Sequence, residues 1–194
     1  VVRLSRDLPN RSYIGGIVTT RQGRGNLDGS DDSNLTIGID GRWGIGDAWL
    51  LQGFVAKTDT PGVEEDEHSF RLGGKYDTEK WSVSANYTEV GDGFNPEVGF
   101  LHRRGYRKPD FFVLRRIRPE NMGGLLEIRP HASYRGYWNF DGFQENGFLH
   151  LDAHWEWRNA YQLHTGVNFT REGVTEPNAR ARVSRARAAL RRAL

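Results

Sequence analysis

In 194 residues, apolar side chains make up only 37%, yet aromatics reach 12% and there are 24 glycines. That mix is thin for an ordinary core and suits a wall in which only alternate residues need be apolar. The absence of cysteine excludes disulfide frameworks and thiolate chemistry. The net charge of +2 comes from one end: residues 178–194 hold six of the 27 basic residues and no acid, so the remainder carries 21 bases against 25 acids. Apolar runs such as 111–114 are far too short for a membrane helix. No leader peptide opens the chain at Val1, so it reads as a mature segment or a fragment.

Period-two alternation predicts about ten strands, near residues 1–6, 12–20, 34–43, 48–57, 69–77, 80–89, 110–118, 125–138, 147–158 and 160–171. In 34–43, Leu35, Ile37, Ile39 and Trp43 oppose Thr36, Gly38, Asp40 and Arg42. The stretch 48–57 alternates poorly and leaves its faces weakly assigned. In 69–77, Phe70, Leu72, Gly74 and Tyr76 oppose Arg71, Gly73, Lys75 and Asp77, and after a turn Trp81, Val83, Ala85 and Tyr87 repeat the pattern. In 125–138, Ile128, Ala132, Tyr134 and Trp138 oppose Arg129, His131, Ser133 and Arg135. The last two strands set Leu149, Leu151, Ala153, Trp155 and Trp157, then Leu163, Val167 and Phe169, against His150, Asp152, His154, Glu156 and His164.

The joins alternate in length. Those at 7–11, 44–47, 77–80, 119–124 and 158–160 are short, and those at 21–33, 58–68, 90–109 and 139–146 are longer. In an antiparallel up-and-down meander this places short turns at one end and long loops at the other, the asymmetry of outer-membrane barrels. Paired rings flank three short turns: Trp43 and Trp49, Tyr76 and Trp81, Trp157 and Tyr161. Rings of this kind settle at membrane–water interfaces. The expected fold is therefore all-β, a meander forming a transmembrane β-barrel or part of one. Residues 1–176 would be the barrel, and 177–194 an Arg/Ala-rich tail, disordered or a short helix.

The segment GDGFNPEVGFLHRRGYRK (91–108), with RSYIGGIVTTRQG (11–23) and LTIGIDGRWGI (35–45), resembles a bacterial envelope family. In that family a module like the family-9 carbohydrate-binding modules precedes a large domain of unknown function that looks like an outer-membrane β-barrel. The matching positions are Arg11, Ser12, Gly15 and Gly16; Gly38, Ile39 and Asp40; and Phe94, Asn95, Pro96, Glu97, Gly99 and Phe100, followed by Arg103 and Arg104. The resemblance covers about 1–176 and implies more strands in the intact protein. It transfers neither an activity nor sugar binding to particular residues, and the tail departs from it.

Candidate chemistry lies on the polar faces and in the loops. His131, His150, Asp152, His154 and His164, with Arg129 and Arg135, are candidate lumen-binding residues. Two imidazoles and a carboxylate suit zinc. A polar lumen accounts for them more simply, because i, i+2 spacing sets side chains ~7 Å apart, and no metal or other cofactor is assigned. Asp59 and Glu64–Glu67, and separately Asp28, Asp31 and Asp32, form acidic loops that read as solvated, without a calcium-hand spacing. Arg103, Arg104, Arg107 and Lys108, among Phe100, Tyr106 and Phe111, read as a loop folded against the barrel rather than a nucleic-acid patch. Arg115, Arg116 and Arg118 are expected to line the lumen. No nucleophile elbow, phosphate loop or dinucleotide fingerprint occurs, and no catalytic residue is assigned.

The leading expectation is an outer-membrane wall segment of a Gram-negative envelope protein that passes or receives a solute, saccharide-linked by the parent architecture, with lipid and lipopolysaccharide as partners. The alternative is a soluble sandwich or curved sheet binding carbohydrate on Trp138, Trp155 and Trp157. A barrel enzyme with a lumen or rim site ranks third.

Overall fold

The computed structural model describes residues 1–23 and 32–173. The acidic residues Asp28 and Asp31 and the Arg/Ala-rich tail lie outside the described residues. Ten strands follow one another: β1 (Val2–Leu8), β2 (Ser12–Gln22), β3 (Ser33–Ile45), β4 (Trp49–Asp59), β5 (His68–Asp77), β6 (Trp81–Val90), β7 (Tyr106–Arg115), β8 (Leu125–Trp138), β9 (Gln144–Trp157) and β10 (Gln162–Glu172). Each pairs antiparallel with its chain neighbours in a single sheet of order β1 to β10. The meander is as expected. Closure is not observed: among the described residues β1 and β10 do not pair, and the sheet keeps two open edges.

Register assigns every strand its faces, including β4. Asp40 pairs with Phe54, and Phe54 with Arg71. Phe54 and Leu50 therefore share the polar face, and Leu51 and Val55 the apolar one. Neither face is covered by a second layer, yet the two differ in burial. The Leu151 residue is 38% exposed, whereas the side chain of its polar neighbour Asp152 is 11% exposed. Such a contrast marks curl, in which side chains converge on the inside and splay on the outside. The polar face is the inside. Buried apolar residues among those described are only Val90, Phe94 and Leu125, so the sheet has no hydrophobic core of its own.

Two prolines explain where the strand limits differ from expectation. Pro109 sits inside β7, which starts at Tyr106 rather than near 110. Pairing between β7 and β8 skips Lys108 and Pro109, resumes at Asp110 with Arg135, and runs to Leu114 with His131. It skips again at Pro130 and returns as a lone bridge, Ile117 with Ile128. Proline donates no N–H, so each interrupts the ladder without shifting it. The join 116–124 is consequently longer than 139–143, where Asn139 Oδ1 accepts the Phe143 N–H at 2.8 Å and Gly142 takes φ +82°. The sorting of short and long joins holds elsewhere but fails at this pair.

Candidate functional site

The outer face is a continuous apolar field. Leu4, Ile14, Val18, Ile37, Ile39, Val55, Leu72, Phe111, Leu151, Leu163, Val167 and Phe169 are all exposed on it. At the short-turn end it is edged by the predicted rings. Trp43, Trp49, Trp81 and Tyr161 are exposed there. Trp49 packs on Tyr76 at 4.8 Å between centroids, and Trp157 meets Tyr161 edge-on at 5.5 Å. Arg115 belongs to this edge and not to the inside, contrary to expectation, because its register partner is Trp81; its guanidinium lies 5.3 Å from that ring. At the long-loop end the field stops at a polar knot. Glu89 accepts from His68 (3.1 Å), the Tyr87 hydroxyl (2.8 Å) and Arg107 (3.1 Å), and Arg107 also lies over Phe140.

The inner face is a run of cross-strand polar contacts. Arg3 donates to Asp40 at 2.9 Å across β2, above Gly15. Arg71 donates to Asn86 (3.1 Å), and Asn86 to Asp110 (2.8 Å). Arg135 lies over Phe148 at 4.8 Å. Arg129 reaches Glu156 (3.3 Å) and Glu127 (3.5 Å). Arg118 donates to Glu127 and Glu79, both at 2.8 Å, and Arg116 to the Thr78 carbonyl at 3.1 Å.

The predicted imidazoles do converge. His131 on β8 lies between His150 and His154 of β9, with ring centroids 5.1 Å from each, and His154 packs on His164 of β10 at 4.0 Å. His131 Nε2 is 3.2 Å from His150 Nε2. Asp152 Oδ2 is 3.1 Å from His154 Nε2 and 3.7 Å from His150 Nε2. Register does this: His131 faces Asp152 directly, Arg129 faces His154, and His154 faces His164. Sequence spacing named these residues but not their supports. His150 Nδ1 is 2.6 Å from Asn168 Oδ1. Gly166, opposite Asp152, leaves the room its carboxylate occupies. Among the described residues His131, Asp152 and His154 are the one group whose donor atoms lie close enough to hold a metal ion, all within 4.8 Å of one another. The acidic stretch 59–67 forms no such group.

The FNPEVGF motif closes the long-loop end. Asn95 N–H donates to Thr58 Oγ1 (3.1 Å), Asn34 Nδ2 donates to the Asn95 carbonyl (2.8 Å), and Glu97 N–H donates to Asn34 Oδ1 (3.3 Å). Glu97 also pairs with Arg21, which pairs in turn with Asp32. Asn34 and Thr58 are each 1% exposed, and Phe94 is buried beneath the loop. Pro96 and Gly99 make the turn through a 2.8 Å backbone bond. Phe100, by contrast, is 83% exposed and packs only on His102. Arg103 lies over Tyr106 and Tyr137 and pairs with Glu145, while Arg104 stands exposed beside it. The Arg21–Asp32 pair holds the Asp32 carboxyl below its ordinary value, chiefly by the hydrogen bond to the guanidinium. Neither Asn34 nor Thr58 carried a sequence signal: Asn34 read as an ordinary polar strand residue and Thr58 as the first residue of the 58–68 join.

Trp138, Trp155 and Trp157 do not form one platform. Trp138 pairs with Gln144 at one end of β9, while Trp155 and Trp157 sit at its other end, ~36 and ~43 Å away at ~3.3 Å per residue. Among the described residues no helix is long and apolar enough to cross a membrane, which says nothing of spanning by strands. No family model, curated protein or solved structure matches the chain.

Proposed function

We propose that this chain is a wall segment of a bacterial outer-membrane β-barrel, its outer face against acyl chains and its inner face lining a lumen through which an envelope protein passes or receives a solute. The observation that carries the reading is the inversion of burial. Large aliphatic and aromatic side chains from strands across the whole sheet share one uncovered face, while the buried side chains among the described residues are mainly polar. Water gives that face no reason to exist, because burying apolar area is the main drive to fold. An exposed apolar patch of this extent implies a membrane or a partner surface.

Its borders favour the membrane. Indole and phenol rings line one edge and the His68–Glu89–Arg107 knot marks the other. Between them the apolar run spans ~33 Å along β3, from Leu35 to Ile45, and ~20 Å along β5, from Phe70 to Tyr76, at ~3.3 Å per residue. Foreshortened by a ~45° tilt, the longer run becomes ~23 Å, near the ~25 Å apolar band of such barrels. The open edges of β1 and β10 support a segment whose neighbouring strands close the wall, since unpaired backbone is costly in lipid. The FNPEVGF resemblance supports the same assignment and suggests a saccharide-linked solute.

The test is depth-dependent quenching of the tryptophans by brominated lipid, with the full chain reconstituted into phosphatidylcholine vesicles. Strong quenching from bromines near the headgroups, falling toward the bilayer centre, is expected from Trp43, Trp49, Trp81 and Trp157. A chain that stays monomeric in detergent-free buffer and ignores the vesicles refutes the proposal.

A further inference from the structure

We propose that the inner face of β8–β10 binds one divalent transition-metal ion of the zinc class between His131, Asp152 and His154, with His150 alongside. The inference does not depend on whether the outer face meets lipid. Four of the chain's six histidines meet at this one place. The donor atoms run His131 Nε2 to His150 Nε2 (3.2 Å), His150 Nε2 to Asp152 Oδ2 (3.7 Å) and Asp152 Oδ2 to His154 Nε2 (3.1 Å). Bonds of ~2.0–2.1 Å in a tetrahedron set ligand atoms ~3.3 Å apart, so these separations are those of ligands sharing an ion. The donor atoms of His131, Asp152 and His154 all lie within 4.8 Å of one another.

Two further observations point to a cation. The first is tautomeric. His150 Nδ1–H donates to Asn168 Oδ1, which leaves a lone pair on His150 Nε2. His131 Nδ1 faces the Arg129 carbonyl at 3.5 Å, and an N–H directed there leaves a second lone pair on His131 Nε2. With that tautomer of His131 the two Nε2 lone pairs face one another at 3.2 Å, an arrangement a cation between them would relieve; with the other tautomer one Nε2–H donates to the other ring. The Asn168 bond is the kind of outer support that orients metal-binding imidazoles.

The second observation is the carboxylate. Asp152 Oδ1 is buried and has no hydrogen-bond partner. The Arg129 guanidinium, on the same face, is committed to Glu127 and Glu156. Oδ2 meets His154 Nε2 at 3.1 Å, so the carboxylate keeps one buried, unused acceptor, which a bound cation would satisfy. Imidazoles with one carboxylate suit zinc, cobalt and nickel rather than calcium or magnesium, which prefer all-oxygen sites. Such an ion would staple β8 to β9 beside the open edge of β10.

The test uses the full folded chain titrated with Co²⁺ and read by visible absorption, then back-titrated with Zn²⁺. The expected result is the intense band set of tetrahedral Co²⁺, saturating at one ion per chain and erased by Zn²⁺. His131→Ala and Asp152→Asn should each abolish it. Asn168→Ala should weaken binding by about 10–100-fold, and a His68→Ala/His102→Ala variant should leave it intact. A folded wild-type chain that gives no tetrahedral spectrum overturns the proposal, as does binding that survives His131→Ala with Asp152→Asn. If those variants fail to fold, the wild-type spectrum and stoichiometry decide alone. Bilayer insertion is read separately by quenching, so failure of either idea is distinguishable from failure of the other.

Discussion

Gly73 has no side chain, and its neighbour uses the space. A Cβ there would lie 2.2 Å from Asn86 Oδ1, the atom that accepts from Arg71 while the same amide donates to Asp110. Gly15 makes the same room beneath the Arg3–Asp40 pair, and Gly166 beneath Asp152. On the inside of a curled sheet, side chains from adjacent strands crowd, and a missing Cβ lets a polar group lie across its neighbour. Gly73→Val should therefore cost about 1–3 kcal/mol by overpacking, read as a lower denaturant midpoint in detergent micelles. Gly16→Ala is the control: its Cβ would meet only the Gly38 carbonyl, at 3.7 Å, and the midpoint should move by no more than about 0.5 kcal/mol. The glycine content was plain in the composition. Which glycines hold polar neighbours was not, because that depends on register.

The loop between β6 and β7 shows what an element adds to its motif. FNPEVGF was legible as a turn-former, from the stiffness of Pro96 and the freedom of Gly99. Its anchor was not, because Asn34 and Thr58 lie far away in sequence, one in a strand pattern and the other at the start of a loop. Their burial at 1% makes them the lock. Asn34→Ala removes one donor and one acceptor from the loop backbone, a loss of about 1–3 kcal/mol. Amide exchange at Phe94, Asn95 and Glu97 should quicken by about tenfold or more, with the strands unaffected. Acid acts on the same element through Asp32. Its folded pKa is depressed, so its pair with Arg21 contributes above the ordinary carboxylate value of ~3.9 and is lost as pH falls through the lower folded value. The Asp32 carboxyl carbon resonance should accordingly titrate below ~3.9 in the wild type, and Arg21→Gln should return it to that value. The pair is exposed, so its share of global stability is small. The strand limits around Pro109 failed at the same scale: proline reads as a breaker, but here it only leaves a gap in a ladder whose register its neighbours maintain.

At the scale of the whole molecule, period two made the meander and both faces legible, because alternation is a direct consequence of strand geometry. Closure was not legible, since it depends on how far the sheet curls. The open edges of β1 and β10 bear on the proposed function. A long unpaired edge in water is a template for association, and an uncovered apolar face adds to it, so the chain in buffer should aggregate unless something covers both. On the proposed reading, lipid would cover the face and additional strands the edges. Leu72, 64% exposed near the middle of β5, separates lipid from other covers. Leu72→Arg puts a guanidinium at mid-height of the apolar field. If acyl chains lie there, folding into vesicles should lose about 2–4 kcal/mol, whereas an arginine near the field's edge should cost about 0–1. Phe169→Arg on β10 near the long-loop end supplies that second measurement. A partner protein would not grade the cost by height, and equal penalties at the two positions would argue for a protein cover rather than a bilayer.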